Sequence, residues 1–293
     1  MIRGFPRFRD LVIDSDTQSP RSNSDELHQF LTTLRYRLAG CGVPVTLNEK
    51  RLLSLKGTHQ GQRAFVIGNG PSLNKCNLRL LRDEVTFGVN AIFLNRDRMG
   101  FYPSYYVVED EFVAEDRADE INQLTGPTKF FGNYVSYCIQ DRPDVIWLNL
   151  RMNYGPYPGF PHFSRNAARM IWVGGTVAYV CLQLAYYMGF ASVYLVGFDH
   201  SYEIPKDAQV DGSGILSRSN DPNHFHPDYF GSGYRWHDPM VERMEMAFRR
   251  AREVYESSGR RILNATVGGH LQVFDRVEYG SLFAAESERG LHD

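Results

Sequence analysis

The stretch Arg63-Ala64-Phe65-Val66-Ile67-Gly68-Asn69-Gly70-Pro71-Ser72-Leu73 reads as a short buried strand that runs into a tight turn and then a helical turn. Residues 64–67 are an unbroken apolar run of strand length, and Ser72 is a residue type that caps helix N-termini. Gly68 and Gly70 carry no Cβ, so the backbone can turn sharply and approach a ligand closely. The N–H groups of a helix start favour a phosphate there. Asn69 adds a carboxamide that both donates and accepts. The pattern is not G-x-G-x-x-G, because Leu73 stands at the third glycine, and it lacks the Lys-Ser/Thr pair of a P-loop. The same glycines also suit a strand-to-helix turn that holds nothing.

Outward from this turn the chain keeps an α/β rhythm. Residues 85–89 form a second strand ending on Asn90. Residues 105–108 form a third, which starts after Pro103 and ends on Glu109-Asp110-Glu111; 128–131 and 145–148 are two more. Strands separated by helical or looped crossovers predict a mainly parallel, doubly wound α/β sheet of modified Rossmann type. Ligands of such sheets lie beyond the carboxyl ends of the strands, which singles out Asn69, Asn90, Glu109 and Asp110.

A second unit follows a long loop over 151–166. Gly174-Gly175-Thr176 opens a helix over 177–188 that is apolar nearly all round. Gly189 ends it, a strand covers 192–196, and Gly197-Phe198-Asp199-His200-Ser201-Tyr202 comes next. The Gly-Gly-Thr start is another place where backbone amides meet an anion. Residues 203–238 are long, polar and glycine-containing, as a substrate lid is. A charged amphipathic helix over 239–257 has Asp238 as its expected N-cap, and a last strand begins at 262–263. Asn264 and Thr266 after it either touch a ligand or close the turn at Gly268-Gly269.

Residues 1–60 read as an N-terminal helical appendage. Its first 24 residues carry little order signal; an amphipathic helix covers 25–39 and a further helical turn 48–55, packed on the main domain or on a partner subunit. The catalytic domain is expected over 61–277, with 278–293 as a tail. A net charge of −2, with acidic and basic residues interspersed, speaks against wholesale nucleic-acid binding. Cys41, Cys76, Cys138 and Cys181 are widely spaced, which argues against a zinc knuckle or a disulfide framework and for reduced thiols in a cytoplasmic protein. No apolar run reaches the roughly 18–20 residues that span a bilayer, which leaves peripheral membrane association open.

Taken together, Gly68-Asn69-Gly70-Pro71-Ser72-Leu73, Val89-Asn90, the Thr176 helix leading to Gly-Phe-Asp and a histidine ahead of the last long helix resemble the bacterial sialyltransferases of glycosyltransferase family 42. With the segment Asn223-His224-Phe225-His226-Pro227-Asp228-Tyr229-Phe230-Gly231, the chain is still more similar to bacterial proteins with a 6-hydroxymethylpterin diphosphokinase-like domain of undefined specificity. The likeness covers roughly residues 60–275. It implies a single modified Rossmann domain under a lid, with Gly68, Asn69, Gly70, Ser72, Asn90 and Thr176 around the cytidine monophosphate of a donor; Gly175 joins them through the helix-start amides alone. It also implies no obligatory metal or cofactor, His237 as general base and Tyr202 on the leaving phosphate. Glu109 stands where the sialyltransferases have another asparagine. A carboxylate there would repel a phosphate unless a cation or a sugar hydroxyl intervenes.

The resemblance therefore leads to a glycosyltransferase that moves a sugar, such as a nonulosonic acid, from a CMP-activated donor to a cell-surface glycan, with inversion. Two other readings stay open. One is magnesium-dependent pyrophosphoryl transfer from ATP, with the ion on Glu109, Asp110 or Asp199; the other is a non-catalytic nucleotide-binding protein. The cluster His224, His226, His237, Asp228 and Asp238 has three readings: a base at His237, a metal site, or a loop packed on Tyr229, Tyr234 and Trp236. Asp199 either acts in the site or orients Tyr202 and the lid. Homo-oligomerisation through the N-terminal helix is a further expectation.

Overall fold

The computed structural model describes residues 23–151, 160–212 and 214–283. The start of the chain, half of the loop over 151–166 and the last ten residues of the tail lie outside that set. The elements are α1 (Asn23–Gly40), α2 (Leu47–Ser54), β1 (Arg63–Ile67), β2 (Thr86–Val89), α3 (Arg96–Met99), β3 (Tyr105–Val108), α4 (Glu111–Asp116), α5 (Ala118–Gln123), β4 (Thr128–Gly132), β5 (Val145–Leu148), β6 (Leu150–Arg151) and β7 (Ile171–Trp172). After these come α6 (Val177–Met188), β8 (Ser192–Val196), β9 (Gln209–Asp211), β10 (Gly214–Leu216), β11 (Arg235–His237), α7 (Val241–Glu256), β12 (Arg261–Asn264) and β13 (Asp275–Arg276).

Eight strands form one sheet in the order β13-β12-β8-β1-β2-β3-β4-β5, and every neighbouring pair is parallel. The fold is thus the doubly wound α/β arrangement that the strand pattern predicts. From β1 the chain steps outward through β2 to β5, then crosses back along α6 to lay β8 on the other side of β1. That reversal puts the topological switch point between β1 and β8, where an open parallel sheet leaves a crevice beyond its strand ends.

The strand period divides the core. Ala64 and Val66 of β1 join a buried cluster on one face with α6 and α7, while Phe65 and Ile67 join a second cluster on the other face. α6 is buried on nearly every side, as its apolar composition requires; Thr176 Oγ1 caps it by accepting from Ala178 N, and Gly189 ends it at φ 98°. α7 is one-sided. Met244, Ala247, Phe248, Ala251 and Tyr255 face inward, and Arg249–Glu245 and Arg252–Glu256 pairs line its outer surface.

Between its two expected placements, the N-terminal helical segment takes the main domain. Tyr36, Ala39 and Leu52 belong to the α6-side core. Asn48 accepts from Trp147 N at 2.8 Å and donates to Trp147 O at 2.9 Å, so its side chain occupies the open edge of β5.

Three local expectations are corrected. The turn after β1 is a five-residue 3-10 helix, Pro71–Lys75, with Gly70 at the cap position, so Ser72 lies inside it and is not the cap. Met240, not Asp238, occupies the N-cap of α7, because the helix starts two residues later than the sequence pattern places it. The segment over 203–238 contains a small antiparallel sheet, β9-β10-β11, which its polar, glycine-containing sequence does not announce.

Candidate functional site

At the switch point the turns after β1 and β8 touch. A Cβ on Gly68 would lie 2.6 Å from Gly197 O, so only glycine permits this approach. Between them opens a cleft of about 90 Å³. Its floor is Gly68-Asn69-Gly70 and Gly197-Phe198-Asp199. Asn90 and the start of α6, Thr176 and Val177, form one side, and Tyr202, Asn223, His224 and Tyr229 close it from above. The cleft volume is less than the roughly 300–1,000 Å³ of a typical small-molecule pocket. Phe225 N donates to Asn69 O at 2.8 Å and Asn74 Nδ2 donates to Phe225 O at 3.0 Å, which bonds that cover directly to the glycine turn.

Of the sequence-predicted residues, Gly68, Asn69, Gly70, Asn90, Thr176, Asp199 and Tyr202 line this cleft together. Ser72, Glu109, Gly175 and His237 do not. Ser72 is engaged by the protein itself: its hydroxyl donates to Asp199 Oδ2 at 2.6 Å and its N–H to the same oxygen at 3.3 Å. The anion-binding capacity of the glycine turn is thus partly filled by a carboxylate from the β8 turn. The N-terminus of α6 keeps its dipole directed at the cleft through Thr176 and Val177. Gly175, at φ 80°, packs on the Arg243 side chain behind it.

Two side-chain oxygens in the cleft lack hydrogen-bond partners among the described residues. Asn69 Nδ2 donates to Val89 O at 3.1 Å and to Tyr229 Oη at 2.9 Å, which fixes the amide and leaves Oδ1 buried and unpaired. Asn90, held at φ 49°, likewise has a buried Oδ1 with no hydrogen-bond partner. Buried unpaired acceptors are costly, and a ligand hydroxyl or amino group satisfies them.

His224, to which the sequence reading gave no separate base role, lines the cleft. Its Nδ1 lies 2.6 Å from Oδ2 of Asp221, a buried carboxylate that also accepts from Asn223 N at 2.7 Å and Phe230 N at 2.9 Å. The imidazole stacks on Tyr229 with ring centroids 3.9 Å apart. No hydrogen bond engages its Nε2 among the described residues. A carboxylate that fixes one ring nitrogen and leaves the other available is the arrangement of a general base. The signal for it was Asp221-Pro222-Asn223-His224, an Asp three residues ahead of a His in a turn.

His237 lies on β11, beyond the cleft-lining set. Its Nδ1 is 3.0 Å from Asp110 Oδ2, and its ring stacks on Phe112 at 4.3 Å. Burial alone would lower its pKa, but the hydrogen bond and charge of Asp110, with Glu111 and Glu109, outweigh that and raise it. Glu109 at the end of β3 is pushed up to about 8 by burial, with Asp110 adding and His237 opposing. The contact joins the covering segment to the core, as do Arg235 on Asp116 and Glu115. Buried Arg117 also donates to Asp228 O at 2.5 Å and Tyr229 O at 2.9 Å.

Of the carboxylates that would serve magnesium, Asp199 is bonded to Ser72, and Asp110 caps α4 through Phe112 N and holds His237. Among the described residues no group of three His, Cys, Asp or Glu side chains is placed to hold a metal ion. His224, His226 and His237 take separate carboxylates, Asp221, Asp228 and Asp110.

No protein of curated function matches the chain. A solved structure described as a MAf glycosyltransferase from Magnetospirillum magneticum AMB-1 is similar at 14% identity and a TM-score of 0.47, covering 89% of this chain and 43% of that one. The chain thus spans less than half the length of that protein. A profile of the 6-hydroxymethylpterin diphosphokinase MptE-like family matches residues 45–205, more than half of the sequence and the whole span from β1 to β8, and the chain belongs to that family.

Proposed function

We propose that the protein is a glycosyltransferase that takes a sugar from a nucleotide-activated donor, with a CMP-linked nonulosonic acid as the donor class and a glycan hydroxyl as acceptor. The observation that carries this reading is the His224–Asp221 pair facing the cleft that the switch point forms. His224 Nε2 would take the proton of the acceptor hydroxyl as that oxygen attacks the anomeric carbon, and Asp221 would hold the ring and stabilise the imidazolium. The departing phosphate oxygen would be met by the first turn of α6 and by Tyr202. The unpaired Asn69 and Asn90 oxygens suit the hydroxyl and amino donors of a nucleoside.

The test is chromatographic detection of CMP released from CMP-nonulosonates, with and without chelator and with glycan acceptors added. Release that survives chelation supports the reading. A second reading, magnesium-dependent pyrophosphoryl transfer from ATP, draws on the family's namesake activity and on the consecutive Glu109-Asp110-Glu111 after β3. AMP formation from ATP with magnesium, and no CMP release, would favour it and overturn the first.

A further inference from the structure

Far from the cleft, the helix pair that covers the β5 edge carries an apolar surface that no other described residue covers. Leu31, Leu34 and Leu38 of α1 are exposed by 53, 42 and 39%, and Val43, Val45 and Leu47 of the following turn by 53, 57 and 68%. The spacing 31, 34, 38 puts the leucines on one outward helix face, with Arg35 between them, while Thr33, Tyr36 and Ala39 turn into the protein. Val43 N donates to Leu38 O at 3.0 Å, which folds the exposed turn back onto the leucine face. Contiguous apolar patches of more than a few hundred Å² are rare on free surfaces.

The surroundings of this patch are cationic. From the start of α1 to residue 56 there are five basic side chains, Arg35, Arg37, Lys50, Arg51 and Lys56, against three acidic ones, Asp25, Glu26 and Glu49, in a chain whose net charge is −2. Glu49 is buried and paired with Arg35 at 2.7 Å, which cancels both charges and leaves Arg37, Lys50, Arg51 and Lys56 as the basic side chains of this surface. Beside Leu47 runs a groove of about 570 Å³, walled by Arg35, Arg51 and Arg142 with Trp147 at its base. Asp141, the acid on its rim, accepts from Trp147 Nε1 at 3.1 Å, and Arg142 is paired with Asp144.

We propose that this α1–α2 face docks on an anionic phospholipid bilayer. Leu31, Leu34, Leu38, Val43, Val45 and Leu47 would enter the headgroup–acyl boundary, with the surrounding arginines and lysines on lipid phosphates. Apolar side chains on one face and basic ones around them are the two signals that stable interfacial binding needs. A second copy of the chain is the less suitable occupant, because a two-fold contact would set this cationic surface against itself. The contact is interfacial, since no helix among the described residues is long and apolar enough to cross a membrane.

The test is co-sedimentation of the full chain with vesicles of phosphatidylcholine alone and of phosphatidylcholine with phosphatidylglycerol. Binding to the anionic vesicles, weakened by salt, is the expected result. The exposed pair Leu34→Glu and Leu47→Glu should abolish it at an unchanged Tm. Arg37→Glu with Lys50→Glu should weaken it by at least about fivefold per residue reversed. Equal partition of wild type and either variant, or none of the wild type, overturns the proposal. So does a wild-type dimer in sedimentation that the leucine variant converts to monomer, which would assign the face to a second copy.

Discussion

Asp199 Oδ2 accepts a hydrogen bond from the Ser72 hydroxyl at 2.6 Å and lies 1.8 Å from where a Cβ on Gly70 would stand. The glycine turn after β1 is therefore shaped by the protein's own carboxylate as much as by any ligand. The β1 and β8 turns form a single unit.

Gly70→Ala tests that unit. Gly70 has an ordinary backbone at φ −66°, so the substitution introduces only the clash with Asp199 and Gly197 O. It should cost about 1–3 kcal/mol in urea denaturation, the usual range for overpacking. A change within about 0.5 kcal/mol, the size of a neutral surface substitution, would contradict it.

Arg117 should govern the cover. Its guanidinium is 96% buried and serves the carbonyls of Asp228 and Tyr229. Arg117→Met leaves those acceptors unpaired, which costs about 1–3 kcal/mol each when they stay buried. Limited proteolysis should then cut within residues 203–238 faster than in the wild type, and equal cutting rates would count against the tie.

The acid–base cluster at the end of β3 sets a pH dependence. Unfolded Glu109 loses its proton near 4.5 and folded Glu109 near 8, so between these values the folded state binds more protons and stability falls as pH rises. His237, raised by its carboxylate neighbours despite burial, contributes stability that is complete below 6.5 and is lost as pH climbs through its folded value. Melting curves from pH 5 to 9 should show the Tm of Glu109→Gln rising relative to wild type up to about pH 8 and then holding level. A constant difference across that range would refute the assignment.

The two histidines should separate kinetically. His224→Ala should lower turnover of the donor by about 10²–10⁴, the scale of general base catalysis, with nucleotide affinity within a few-fold. His237→Ala, which loosens a tie between β11 and Asp110, should change kcat by less than about tenfold. The reverse ranking would return the base role to His237.

The central strands were legible because each is a compact apolar run bounded by Gly, Pro, Asn or acidic residues, and the α6 boundaries followed from Thr176 and Gly189. Pairs such as β6–β7 and the three-residue β9, β10 and β11 were not, since so few residues carry no period. Ser72 reads as a cap only if Asp199, 127 residues away, is left out of account. His224 and His237 look alike in sequence; buried Asp221 and partly exposed Asp110 distinguish them only once the chain is folded. The outward leucines of α1 follow the same helical spacing as a core-facing stripe, and their burial depended on which face met the sheet.

The central claim is that the crevice between β1 and β8 holds a nucleoside phosphate, and calorimetric titration of CMP tests it most directly, with magnesium and with chelator. One CMP should bind per chain in both conditions. Asn69→Asp, which sets a carboxylate in the crevice and removes the donor to Val89 O and Tyr229 Oη, should abolish the heat. No binding by the wild type, undiminished binding by the variant, or binding of ATP alone and only with magnesium would contradict the account.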